Sequence, residues 1–412
     1  MLGGDIAFFT LALNIASSYT IFPLFAIHLG ANNTLVSLIP AIRALGVFAP
    51  QLLIASHVER RIRVKPMILT LTIGERIPIL VMAIAALALA TRNSAITLAI
   101  FFVMTLIPAL SSGLTFPGWF DLIGRAIPRS WMGRFLGIWM GVGGVLGALG
   151  SLGAATLIAV FAFPLNFALV FGLAFIAYVV SFILLAMGRE PVREVAAPAQ
   201  SASDTVTRGT GVRDQVAVLR GDKAFARYLV ANAIAGLATM AAALFAVSAK
   251  RGGLSDSEVS ALGVVLTVAM TAGNFIWGFV GDHIGHRASL VGGSVSAGAA
   301  AACALVAHGV WWYGVAFFLL GFGISAAQLS QLTATGEFGP TERRASYIAI
   351  MGVAYAPFAV GAPLLGGWLA DRWGYQPVFG LAAGFGFLAA IAYFYWGPHA
   401  EKHGETVASI QR

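Results

Sequence analysis

The segment Gly278-Phe279-Val280-Gly281-Asp282-His283-Ile284-Gly285-His286-Arg287 lies between two long apolar stretches and decides the class of fold. It places a carboxylate, basic side chains and glycines suited to a tight turn in one short loop. A weaker copy, Ala55-Ser56-His57-Val58-Glu59-Arg60-Arg61-Ile62-Arg63-Val64-Lys65, lies between two apolar stretches in the first half of the chain. The same kind of charged loop at corresponding places in both halves indicates a duplicated membrane protein.

The composition supports a membrane protein rather than a soluble one. The 412 residues are 59% hydrophobic and only 10% charged, with a mean hydropathy of +0.86, whereas soluble domains carry about 25% charged residues. A block of about 20 apolar residues crosses the ~30 Å hydrocarbon layer as a helix. Twelve such blocks occur, at about 4–28, 34–56, 66–90, 95–122, 132–159, 164–187, 225–249, 257–280, 288–307, 310–335, 346–369 and 375–396. We therefore predict an all-α membrane protein with 12 transmembrane helices.

The long connection at 189–224 divides these blocks into six and six. Its proline, alanine, serine, threonine and charged residues are typical of a flexible linker, and its end is expected to form a short amphipathic helix. A second repeated pattern of acid, proline and arginine, at Asp121–Arg134 and Glu337–Arg344, supports the duplication. We predict two pseudo-symmetric six-helix bundles at 1–188 and 225–397, joined by the linker and followed by a cytoplasmic tail at 398–412.

The net charge of +8 reflects membrane topology rather than nucleic-acid binding. If the N-terminus is cytoplasmic, 19 of the 25 lysines and arginines lie in cytoplasmic loops and termini, as the positive-inside rule requires. We therefore expect a multi-pass protein of the cytoplasmic (inner) membrane, with both termini in the cytoplasm and no nucleic-acid partner. Cys303, the only cysteine, lies in an apolar block, so no disulfide is expected.

The Gly278–Arg287 segment resembles the loop signature Gly-x-Leu-Ala-Asp-Arg-x-Gly-Arg-Arg/Lys of the major facilitator superfamily of secondary transporters. Gly278, Asp282, Gly285 and Arg287 match that signature, whereas histidines replace two of its basic positions. In the first half, Glu59, Arg60 and Arg63 match it, but Ala55 and Ile62 replace its glycines. The resemblance covers the chain from Gly4 to Trp396 and implies two six-helix halves that move a small solute by alternating access, driven by a solute or proton gradient.

The resemblance also implies that charged loop residues hold the cytoplasmic side shut when the halves rock. An acid beside basic groups near the membrane surface forms a partly desolvated network that breaks as the halves separate. The alternative is that these loops only satisfy topology and tight turns. The gating residues expected on the first interpretation are Glu59, Arg60, Arg63, Asp121, Arg134, Asp282, Arg287, Glu337 and Arg344.

Three charged residues, Arg43, Glu75 and Arg76, lie inside predicted membrane segments. A charge at that depth costs several kcal/mol unless it is paired or hydrated, so it is a functional candidate by default. Adjacent helical residues point about 100° apart, and the simplest pairing therefore joins Glu75 to Arg43. On one interpretation either Glu75 is a proton-coupling carboxylate that responds to Arg43 or Arg43 contacts an anionic substrate; on the other interpretation the two residues form a structural ion pair.

The resemblance implies that the first, fourth, seventh and tenth helices line a substrate cavity, bordered by the second. Polar residues recur at helical spacing on those helices, and such residues must be buried against protein or face water. The alternative is hydrogen bonding between helices, worth under about 1 kcal/mol on average. Few of them are charged, which suits a neutral or amphipathic solute. The cavity candidates are Asn14, Ser18, Arg43, Ser112, Thr115, Trp119, Asn232, Gln328 and Gln331.

The function expected from the sequence is therefore secondary transport of a small solute, with the lipid bilayer, the solute and protons as partners and a monomer as the working unit. The alternative is a transporter-shaped receptor or lipid-handling protein. The seven histidines are scattered, which argues against a membrane enzyme or a metal site, and no cofactor is expected. The glycines from Gly137 to Gly153 lie within an apolar block and predict close helix packing. That block lacks the proline of the family's drug/proton antiporters, so the direction of transport stays open.

Overall fold

The computed structural model describes residues 1–59, 63–191, 221–335, 337–338 and 344–398, which fold into helices joined by short loops. The N-terminal half contains seven of these helices. They are α1 (Leu2–Ile15), α2 (Ile21–His28), α3 (Asn33–Glu59), α4 (Lys65–Leu89), α5 (Ser94–Ala126), α6 (Arg129–Val160) and α7 (Leu165–Met187).

The C-terminal half repeats this arrangement. Its elements are α8 (Lys223–Ala238), a short 3₁₀ turn at Thr239–Ala241, α9 (Leu244–Arg251), α10 (Asp256–His283), α11 (His286–Leu305), α12 (Gly309–Thr335), α13 (Arg344–Trp373) and α14 (Tyr375–Trp396). The predicted linker falls largely outside the described residues, as does most of the tail. The all-helical prediction is confirmed for the described part of the chain.

Ten helical spans among the described residues are long and apolar enough to cross a membrane. The predicted blocks three to twelve coincide with them. The first block is instead two short helices, α1 and α2, and the second block contains a shorter apolar helix, Asn33–Val47, within α3. Length and composition therefore support ten of the 12 predicted spans.

The first and seventh blocks are broken at corresponding places. The first helix is interrupted between Ile15 and Ile21, and the seventh by the 3₁₀ turn that begins at Thr239. Backbone that leaves the helix at membrane depth is tolerated only inside protein or along a water-filled space. Both breaks meet this condition, because Ser18, Tyr19 and Thr239 line a central cavity.

The main helix contacts between the halves are those of α6 with α10 and of α3 with α13. Glycines permit these close approaches. A Cβ on Gly144 would lie 2.2 Å from Thr271 Oγ1, and one on Gly367 would lie 2.6 Å from Ser37 Oγ. Within the glycine series of α6, Gly141, Gly144, Gly147 and Gly150 meet neighbours in this way, whereas Gly137 and Gly153 face open space.

The Gly278–Arg287 segment contains a very short connection between α10 and α11. Gly285 has a φ of 108°, a conformation that favours glycine. It lies at the same end of the bundle as Leu2 and Trp396, which we name the terminal face. The opposite end carries His28 and is named the His28 face.

Candidate functional site

A cavity of about 420 Å³ lies between the two halves, within the usual size range of small-molecule sites. The N-terminal half contributes Ser18, Tyr19 and Arg43 to its wall, and the C-terminal half contributes Gln328 and Gln331. Most of the remaining wall is alanine, glycine and larger apolar side chains. The cavity therefore offers an apolar surface with a few fixed polar groups.

Arg43 is the one charged residue among the described residues that line this cavity. It is half-buried on α3, and no hydrogen bond or ion pair joins it to another described residue. Arg43 also lines a second cavity of about 70 Å³, together with Glu75 and Ser112. A guanidinium within the membrane region that forms no ion pair with a described residue is available to a bound molecule.

The polar group opposite Arg43 is held by a hydrogen-bond network. Gln331 Nε2 donates to Asn232 Oδ1 at 2.7 Å, and Tyr393 Oη donates to the same oxygen at 3.1 Å. Asn232 Nδ2 in turn donates to the Tyr228 carbonyl at 3.0 Å. Asn232 is buried and supports Gln331 from behind, whereas Gln331 and Gln328 themselves line the cavity.

A second group of charges is buried inside the N-terminal half. Arg76 NH1 lies 3.3 Å from Glu75 Oε2, and Arg76 NH2 lies 3.8 Å from Asp5 Oδ1. Asp5, Glu75 and Arg76 are 3%, 6% and 5% exposed. The predicted pairing of Glu75 with Arg43 is therefore wrong, because the long Arg76 side chain folds back along α4 and reaches the carboxylate of its own neighbour.

Hydrogen bonds fix the Arg76 guanidinium in this network. Its Nε donates to the Tyr178 carbonyl at 3.2 Å, NH1 to the Thr72 carbonyl at 2.9 Å, and NH2 to Ser181 Oγ at 3.1 Å. Ser181 Oγ and Trp119 Nε1 then donate to Asp5 at 2.6 and 3.1 Å. The arrangement holds two carboxylates against one guanidinium, so the fully ionised group has one negative charge in excess.

Polar contacts join the halves at the His28 face. His28 Nε2 lies 2.8 Å from Asp256 Oδ2, and Lys250 Nζ lies 2.8 Å from Asp256 Oδ1. Asp371, at the end of α13, accepts hydrogen bonds from the backbone N–H groups of Asn33 and Thr34, both at 2.9 Å. Tyr375 Oη adds a 2.7 Å bond to Asn33 Oδ1. Nearer mid-depth, Thr267 Oγ1 lies 2.7 Å from Asn14 Oδ1.

At the terminal face the described polar contacts lie within each half. Asp121 pairs with Arg125 on α5, and Arg125 NH1 lies 3.6 Å from Glu190 Oε1. Glu190 also accepts from the backbone N–H of Val64 at 2.7 Å, so the segment after α7 holds the start of α4. Each half is therefore tied to itself at this end.

The structure places the predicted gating residues as follows. Arg134 lies over the Trp131 ring and Arg287 over the Phe394 ring, and His286 Nε2 lies 3.8 Å from Glu337 Oε1. Asp282 and Arg63 are exposed. Arg60 and the side chains of Glu59 and Arg344 lie outside the described residues. The pairs of Asp121 with Arg134 and of Asp282 with Arg287 are not formed in this arrangement.

The predicted cavity residues divide into two groups. Ser18, Arg43, Gln328 and Gln331 line the central cavity and Ser112 lines the small one. Three others serve neighbouring contacts: Asn14 faces Thr267, Trp119 donates to Asp5, and Asn232 supports Gln331. The Thr115 hydroxyl is buried and forms no hydrogen bond with a described residue.

Sequence reasoning missed Asp5 and Asp371. Asp5 could have been found, since it is an acid inside an apolar block, the same signal that identified Glu75. Asp371 gives no such signal, because an acid at the end of an apolar block is common. Its role depends on a contact with the distant residue Asn33.

Comparison with known proteins agrees with this architecture. The sequence profile of the Major Facilitator Superfamily matches residues 228–409, and a search of curated proteins finds no significant match. Among solved structures, a mutant of the nucleoside transporter NupG has a TM-score of 0.74 at 12% identity, covering 96% of this chain and 98% of its own.

Two further solved structures share the fold over nearly the whole chain. A D-xylose–proton symporter gives a TM-score of 0.68 at 15% identity, over 96% of this chain and 95% of its own. A bacterial homologue of the human lysosomal transporter Spinster gives 0.67 at 16% identity, over 97% and 98%. At these identities the likeness concerns the fold.

Proposed function

Because this chain belongs to the Major Facilitator Superfamily, we propose that it moves a small solute across the cytoplasmic membrane by alternating access. The observation that carries the proposal is the central cavity, which is lined by residues of both halves. A site between two rigid bundles becomes reachable from either side when the bundles rock against each other.

The distribution of polar contacts supports a gate at each face. At the His28 face, Asp256 and Asp371 bind partners from the opposite half, whereas the described ion pairs of the terminal face remain within one half. We assign this arrangement to the state that opens at the terminal face, toward the cytoplasm. In the opposite state, the latch acids Glu59, Asp121, Asp282 and Glu337 would meet their basic partners.

Proton coupling is the second part of the proposal. Asp5 and Glu75 are buried against a single guanidinium, that of Arg76, and one uncompensated negative charge in the membrane interior is costly. One bound proton removes that excess charge. Glu75 is the proposed acceptor because it lines the small cavity that also contains Arg43, whereas Asp5 is enclosed by Ser181 and Trp119.

Transport is tested with purified protein in liposomes. Uptake of nucleosides, xylose, dipeptides and small carboxylates is measured with and without an imposed pH gradient. We expect at least one solute to accumulate when the gradient is present. Failure of every solute to move would overturn the transporter assignment and favour the receptor or lipid-handling alternative.

The coupling role of Glu75 is tested in the same liposomes. Glu75→Gln should abolish gradient-driven accumulation while exchange of the solute at equal concentrations continues. Glu258→Gln is the matched control, because it removes a carboxylate at the start of α10 while keeping a side chain that suits the capping box with Ser255. Unchanged accumulation in Glu75→Gln would contradict the role, and its loss in Asp5→Asn alone would assign the proton to Asp5.

Alternating access is tested by distances between spin labels. Replacement of Cys303, the only cysteine, by alanine provides the background for labels at exposed Arg92 and Gln376 on the His28 face and at exposed Arg63 and Lys223 on the terminal face. We expect the two distances to change in opposite directions when a solute or a change of pH shifts the population between the state open at the His28 face and the state open at the terminal face. Two distances that stay fixed under all solutes and pH values would refute the mechanism.

A further inference from the structure

Arg43 brings a positive charge to the central cavity, and its guanidinium forms no ion pair or hydrogen bond with a described residue. It is the charged member of the residues lining the central cavity. Glu75 lies on the small cavity beside it, but the Glu75 carboxylate is already 3.3 Å from Arg76 NH1. The guanidinium of Arg43 is thus left for whatever occupies the cavity.

The charge of Arg43 selects among possible occupants. A cation would be repelled, and a neutral solute would displace water from the guanidinium without replacing its charge interactions. An anion with one negative charge matches the single positive charge. A carboxylate in addition fits the planar, forked geometry of a guanidinium through two parallel hydrogen bonds.

The rest of the cavity indicates the body of that anion. Its wall is mainly apolar, with small side chains such as Ala238, Ala297 and Ala327 and the larger Leu320 and Ile324. Gln331, held in place by Asn232, offers a polar contact on the half opposite Arg43. A volume of about 420 Å³ suits a small organic molecule with an apolar portion rather than an inorganic ion.

We infer that the central cavity binds a small organic monoanion, a carboxylate with an apolar body, and that Arg43 holds its charged group. This inference rests on the proposed transport function, of which it names the substrate class. Arg43 touches the substrate, and Gln328 and Gln331 contact it from the other half.

The inference is tested by binding to the purified, full-length protein in nanodiscs, so that it does not depend on transport. The probes are acids and amides of the same shape: hexanoate with hexanamide, benzoate with benzamide, and phenylacetate with phenylacetamide. Affinity is measured by calorimetry and by the ligand-induced shift in thermal unfolding. We expect at least one acid to bind at least about tenfold more tightly than its amide.

Variants of Arg43 locate the effect. Arg43→Gln should weaken binding of that acid by about 10- to 100-fold, and Arg43→Lys should retain part of the affinity because it keeps the charge but loses the fork. Arg92→Gln, at an exposed loop of the His28 face, is the matched control and should bind normally. If Arg43→Gln does not fold, the comparison of Arg43→Lys with wild type tests the same contact.

Three results would overturn the inference: amides that bind as well as acids, an Arg43→Gln variant with full affinity, or no binding of any acid while a neutral solute is transported. The last result leaves the transporter proposal intact. The converse result is that an acid binds in a manner that depends on Arg43 but no solute is transported. It would overturn the proposed transport function while supporting the binding site.

Discussion

Asp371 caps the helix that begins at Asn33, although the two residues are 338 positions apart. The first N–H groups of a helix have no partner within it, and a carboxylate at this position also interacts favourably with the helix dipole. Here the cap comes from the other half of the protein. The bond therefore stabilises an arrangement of two bundles as well as the end of one helix.

Removing this cap should open the His28 face. Loss of a helix cap costs about 1 kcal/mol, so Asp371→Ala should increase the fraction of molecules open at that face by roughly fivefold. The measurement is the spin-label distance between Arg92 and Gln376. Arg372→Ala, the exposed neighbour of Asp371, is the control and should leave the distribution unchanged; equal distributions in both variants would argue against a gating role for the cap.

The opposite shift is expected from the terminal face. Asp282→Asn should favour the state open at that face, because it removes the acid proposed to latch the other state. The label pair at Arg63 and Lys223 reports the change, and His283→Gln serves as the control for a neighbouring substitution. A distribution that does not move, or that moves toward closure, would remove Asp282 from the latch.

The buried charges of the N-terminal half make a prediction about stability. Arg76→Gln should destabilise the protein by about 3–5 kcal/mol, because it leaves Asp5 and Glu75 buried without their cation. Adding Asp5→Asn to that variant should recover part of the loss, since it removes one of the two carboxylates. Thermal unfolding in detergent measures both effects. A double variant no more stable than Arg76→Gln alone would mean that Asp5 and Arg76 are not coupled.

The packing of α6 on α10 predicts an effect of a single methyl group. Gly144→Ala would place a Cβ 2.2 Å from Thr271 Oγ1, which forces the helices apart and costs about 1–3 kcal/mol. Both thermal stability and solute uptake should fall. Gly153→Ala is the matched control on the same helix, because Gly153 faces open space. Equal behaviour of the two variants would show that the close approach is unimportant.

The features that the sequence predicted correctly are those that depend on local pattern. Apolar blocks of membrane-spanning length and a loop with a carboxylate and glycines are readable from neighbouring residues, as at Gly278–Arg287. The pairing of Glu75 with Arg43 failed for a different reason. Spacing along a helix gives the direction in which each Cβ points. The guanidinium of Arg76 lies several bonds beyond its Cβ, so it can reach the carboxylate of the adjacent Glu75.

Contacts between residues that are far apart in the chain could not be predicted from the sequence. The contacts of Asp371 with Asn33 and of His28 with Asp256 depend on how the two halves pack against each other. A single sequence does not give that packing. The cavity was partly predicted. Ser18, Arg43, Gln328 and Gln331 line it, whereas Asn232 lies behind it, because helical spacing does not separate the first layer of side chains from the second.

Arg43 and Glu75 share one small cavity, and this has an energetic consequence for transport. If a monoanion held by Arg43 crosses together with one proton held by Glu75, the net charge moved across the membrane is zero. A membrane potential, worth about 2.3 kcal/mol per elementary charge for each 100 mV, would then neither drive nor oppose the cycle. The pH gradient and the two concentrations of the acid would alone set how far the solute accumulates, in resting and in energised cells alike.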